Sequence, residues 1–146
     1  MVSFLDWLQQ SWFGAGMRES SWLFPTIETV HLAGLVVLVG ATSALDLRLL
    51  DFAMRRRAVS TLARLLLPWA WVGLGVMVVT GGLLFSATPL RFWPNGAFRI
   101  KLVMLLLAGV NVLLFHMTVF RRVEEWDRGV ATPSGAKIAG AVSIVL

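Results

Sequence analysis

Glu28 and His31 stand three residues apart in an apolar stretch, as Glu28-Thr29-Val30-His31. At that spacing two side chains share one helix face. Di-iron carboxylate bundles use this half-motif twice and add two further Glu. Here the unit occurs once, and Leu113 stands three residues before the only other histidine, His116. A di-iron site is therefore not expected. One carboxylate and one imidazole are also too few for a tetrahedral zinc site. The chain has no Cys, which removes disulfides, zinc ribbons, Fe–S clusters and thiol catalysis. Haem b is the chemistry left open to a lone His. His31 with Met77 or Met104 is the ligand set to consider, since His/Met ligation occurs in cytochromes. There is no phosphate loop and no Gly-x-Ser-x-Gly, so nucleotide and acyl-transfer chemistry have no motif to rest on.

The elements that must position these residues are membrane helices. Of 146 residues, 58% are hydrophobic and 14% charged, against roughly half and a quarter in a soluble domain. Mean hydropathy is +0.78. The expected fold is all-α: one transmembrane domain over 1–146, a four-helix bundle preceded by an interfacial helix. Spans are predicted at 26–50, 60–86 and 97–120, each long enough for a ~30 Å hydrocarbon core. Pro25 suits a first helical turn. Pro68 is expected to kink the second span or mark its true start. The fourth apolar segment, 134–146, reaches only ~21 Å at ~1.5 Å per residue, so its span is expected to be truncated.

The start of the chain lacks the early positive charge of a signal peptide, the first basic residue being Arg18. Ser3 and Asp6 resemble a capping box. Phe4, Leu5, Leu8 and Trp12 fall on one face, so 3–13 reads as an amphipathic helix in the membrane surface, ended by Gly14 and Gly16. Small residues at helix-contact spacing (Gly40 and Ala44, Gly73 and Gly81, Ala136 and Gly140) argue for close packing.

Lys and Arg set the orientation. Nine lie after spans one and three: Arg48, Arg55, Arg56, Arg57, Arg64, Arg121, Arg122, Arg128 and Lys137. Four lie on the other side: Arg18, Arg91, Arg99 and Lys101. The positive-inside rule puts the nine in the cytoplasm and the N-terminus outside, in a bacterial inner membrane. Trp12, Trp22 and Trp93 then mark the outer interface, and Trp69 and Trp126 the inner one. The net charge of +5 is explained by topology, and no nucleic-acid partner is expected. The partners expected are the lipid bilayer and other membrane subunits or further copies of the chain.

Helix rise sorts the ionisable groups by depth. Glu28, His31, Arg99 and Lys101 all fall ~10–15 Å to the outer side of mid-span, and Asp46, Arg64 and His116 ~10–14 Å to the inner side. His31 and His116 are then ~20 Å apart along the membrane normal, too far to clamp one haem. Intramembrane charges pair with one another, so Glu28 with Arg99 or Lys101, and Asp46 with Arg64, are the structural reading. A bound cofactor at one cluster is the functional reading.

Several stretches together carry a resemblance: Arg18-Glu19-Ser20, Glu28-Thr29-Val30-His31, Asp46-Leu47-Arg48-Leu49-Leu50, Pro68-Trp69-Ala70-Trp71, Arg99-Ile100-Lys101, Asn111 with Phe115-His116, and Glu125-Trp126-Asp127. Nearly the whole chain resembles an uncharacterised family of small four-helix bacterial inner-membrane proteins, a domain of unknown function. That pattern commonly has His before Glu-Ser, where this chain has Arg18, and its fourth span runs further. An early His in a span also gives a fainter likeness to copper-resistance and b-type cytochrome membrane domains. The resemblance implies a fold and lends no activity.

Two functions follow as expectations. One is a non-catalytic accessory subunit of a respiratory, photosynthetic or transport complex in the membrane. The other is an electron-transfer protein holding haem b through His31. The orientation has its own test: a Cys placed at Gly96 should label with an impermeant thiol reagent in intact cells, and one at Ser60 should not. The reverse pattern inverts the topology.

Overall fold

The computed structural model describes residues 2–54, 57–118, 121, 123, 127 and 132–146, with the side chains of Val2 and Ser3 left aside. Arg55, Arg56, Phe120, Arg122, Glu125, Trp126 and Arg128, and the Ser3 cap, lie outside what is described. Among the described residues the chain is all-helical: α1 (Val2–Gln10), α2 (Trp12–Glu19), α3 (Leu23–Leu49), α4 (Val59–Ala87), α5 (Pro89–Phe92), α6 (Gly96–Thr118) and α7 (Ser134–Val145).

Three of these helices, α3, α4 and α6, are long and apolar enough to cross a membrane. With no water in hydrocarbon, a spanning backbone must satisfy its own polar groups, and a helix does so within itself. The predicted spans agree with the helices to within a few residues. α7 is a shorter apolar helix of 12 residues, ~18 Å long at helical rise. α4 continues through Pro68, so that proline is not its start. Pro25 is the third residue of α3, where a missing N–H costs no intrahelical bond. The Leu23 N–H of that same turn donates to Ser20 Oγ at 3.1 Å.

The surface helix differs from the prediction. Instead of one helix over 3–13 there are two, broken at Ser11. Ser11 Oγ accepts from the Gly14 N–H at 3.2 Å and so caps α2. This local cap outweighs the tendency of Gly14 and Gly16 to end a helix, and both lie inside α2. Gly14 is needed for contact rather than for a turn. A Cβ there would stand 2.7 Å from the carbonyl oxygens of Leu8, Gln9 and Ser86.

The chain divides into two compact units, residues 1–37 with 71–101, and residues 38–70 with 102–146. In the first unit, Leu5 of α1 and Met17 of α2 are buried. Arg18 donates to the Gln9 carbonyl at 2.8 Å and the Ala87 carbonyl at 3.1 Å. These are C-terminal carbonyls of α1 and α4, which lack intrahelical donors. Phe98 stacks on Phe85 at 5.4 Å and lies 5.6 Å from Phe92. Asn95 Oδ1 accepts from the Ala97 N–H at the start of α6. In the second unit, Leu45, Leu49, Val59, Leu62, Ala63, Val123 and Ala136 form one core, with Phe115 of α6 packed against it.

Arg18→Ala should loosen α1 and α2. Two hydrogen bonds from a charged donor to helix ends contribute about 1–2 kcal/mol at a partly exposed site. Faster amide exchange over residues 2–19 in detergent is the expected result. Unchanged exchange would assign the docking to Leu5 and Met17 alone.

Candidate functional site

The first unit holds Glu28, His31, Arg99 and Lys101, the predicted outer cluster. His31 is half-buried on α3, and its Nδ1 lies 2.7 Å from Thr80 Oγ1 on α4. Thr80 Oγ1 also lies 2.5 Å from the Val76 carbonyl oxygen. The ring rests over Gly81, where an added Cβ would meet His31 Cε1 at 3.2 Å. Lys101 belongs to the same unit and is exposed. Glu28 is exposed. The two ion pairs given among the described residues both involve Asp51, and Glu28 forms none with Arg99 or Lys101.

Met77 is 8% exposed on α4, one turn before Gly81 and on the same helix face. Met104 is half-buried and belongs to the second unit. Among the described residues no three His, Cys, Asp or Glu stand together as metal ligands.

The second unit holds Asp46, Arg64 and His116. Asp46 is 7% exposed and faces the Ser143 hydroxyl of α7. Arg64 is exposed and forms no ion pair with it. His116 also lies on an exposed stretch of α6. Asn111 ties α6 to α7, its Nδ2 donating to the Ala139 carbonyl at 2.9 Å.

The charge network of this unit centres instead on Asp51, just past the end of α3. Lys137 Nζ lies 2.8 Å from Asp51 Oδ2 and Arg48 Nη1 3.2 Å from Oδ1. Thr132 Oγ1 donates to Oδ1 at 2.9 Å. Arg48, at the α3 C-terminus, also donates from Nε to the Arg57 carbonyl at 2.8 Å. Asp51 has φ 59° and Met54 φ 54°, left-handed backbone that Asp tolerates better than most side chains. Asp127 caps α4, accepting from the Ser60 N–H at 2.9 Å and from the Ser60 hydroxyl.

Sequence reasoning missed Thr80 as the His31 partner and Asp51 as the hub. Thr80 is a hydroxyl in an otherwise apolar run, facing the helix that carries the only histidine of its unit. Depth counting on charged residues alone passes over it. The Asp51 hub needs α7 brought beside the α3 end, a contact between residues 86 positions apart that no local pattern gives.

The Lys137 ammonium holds the Asp51 carboxyl below its usual range. A lowered value means stability present above the ordinary Asp value of ~3.9 and lost as pH falls through the folded value. Asp51→Asn should lower the melting temperature at pH 7 by the equivalent of about 1 kcal/mol or less, as for half-exposed pairs. It should also remove that part of the acid dependence. A variant as stable as the parent at pH 7 would show that solvent screens the network.

A family model described as "Family of unknown function (DUF6644)" matches residues 4–145. No curated protein and no solved structure matches the chain.

Proposed function

The chain belongs to that family of unknown function, DUF6644, and from there we propose that it is a non-catalytic integral membrane subunit. It packs against partner helices and lipid within a larger respiratory, photosynthetic or transport complex. The proposed location is the bacterial inner membrane, with the N-terminus outside, and the proposed architecture is a four-helix bundle with α7 as the short fourth member.

One observation carries this reading: α6 holds the most hydropathic stretch among the three long helices, and none of its residues is buried. Ile100, Leu106 and Leu113 are 65%, 68% and 58% exposed. A span that buries so little against its own chain offers its surface to its surroundings. Lipid tails give apolar helices no hydrophobic push together, so association depends on close backbone approach at small residues. Gly109 of α6 has open space where a side chain would stand, and so do Gly40, Gly75 and Gly82.

A photo-reactive amino acid at Leu106 or Leu113, activated in native membranes, should give discrete protein adducts. Adducts with lipid alone would overturn the subunit reading.

Haem b held by His31 is the second reading. The Thr80 contact favours it, because ligating His rings are fixed by a hydrogen bond at the other nitrogen. A Soret band in the purified protein separates the two readings.

A further inference from the structure

The Thr80 hydroxyl has one proton and two near neighbours. Val76 O, at 2.5 Å, is a carbonyl and can only accept. At that distance the hydroxyl proton must lie between the two oxygens. Thr80 Oγ1 therefore faces His31 Nδ1 with a lone pair, and the 2.7 Å contact requires the proton to be on Nδ1. In the neutral ring Nε2 then carries a lone pair and no hydrogen.

The Thr80 contact is the hydrogen bond His31 makes among the described residues. No buried side-chain nitrogen or oxygen there lacks a partner. Nε2 thus reaches the surface of its unit. On a membrane span, an acceptor without a partner is costly, so this atom has reason to be filled.

We infer that Thr80 and Gly81 form a seat that holds His31 as a positioned ligand, with Nδ1 protonated and Nε2 offered to a metal centre. Gly81 supplies the room: a Cβ there would stand 3.2 Å from the ring edge and crowd it. The described residues give no set of three ligands for a bare ion. The fitting centre is one that brings its equatorial ligands in a macrocycle and asks the protein only for axial ones. Naming this centre rests on the haem reading; the seat itself does not. Thr80 is a positioning residue, acting through His31.

Two measurements on the full chain in detergent separate the parts. Nitrogen-15 spectra of histidine-labelled protein without haem read the tautomer. The parent and Thr80→Ser should show an unprotonated Nε2, and Thr80→Val a mixture. A protonated Nε2 in the neutral parent ring overturns the seat. Haemin titration reads the ligand. The parent should bind with a shifted Soret band, His31→Ala should lose it, and Thr80→Val should weaken it about tenfold, in line with lost outer-shell partners. Thr80→Ser should restore it. Gly81→Ala should move the Soret band while leaving the tautomer unchanged. The correct tautomer with no haemin binding overturns the metal centre and the haem reading together, and leaves the seat standing.

Discussion

Hydrocarbon offers no hydrogen bonds, and that constraint governs the rest of this chain. It forces α3, α4 and α6 to be continuous helices, because a helix alone satisfies a lone spanning backbone. It decides how polar side chains inside the spans behave. Thr42, Thr80 and Thr118 return their hydroxyls to carbonyls one turn back, as Thr in a membrane helix must when no other acceptor is near. Asn111 spends its amide on a carbonyl of α7. His31 meets the same demand at one nitrogen, through Thr80.

The charges obey a softer rule because they sit near helix ends. Arg48, Asp51 and Lys137 gather where α3 ends. Arg18 covers the ends of α1 and α4. In both places a cation meets carbonyls or a carboxylate at a helix C-terminus, the end whose partial negative charge favours it. The network needs few residues and leaves the span interiors almost wholly apolar.

How much of this was legible in the sequence depended on the range of the contact. The three long apolar helices were readable because hydropathy is a local sum over consecutive residues. The all-helical class followed from the same sum. Ser11 as a cap was locally encoded but overlooked beside the stronger glycine signal, so one surface helix was predicted where two exist. The charge clusters were only partly readable. Helix rise assigns a depth to each residue and says nothing about which face it occupies. Glu28 and Lys101 can therefore share a depth without forming an ion pair, and Arg64 can lie near the level of Asp46 while facing outward. The Asp51–Lys137 contact closes a long loop that no periodicity announces.

The bond from Arg18 to the Ala87 carbonyl joins residues 69 positions apart. At a synthesis rate of ~5–20 residues per second, the acceptor is made about 3–14 s after the donor. The first two helices therefore leave the ribosome with their docking surface not yet in existence. During that interval α1 and α2 lack this fastening, and their exposed Phe4, Trp7 and Trp12 have the character of an interfacial anchor. The finished fold thus conceals an order: α1 and α2 are made before the α4 end that fastens them.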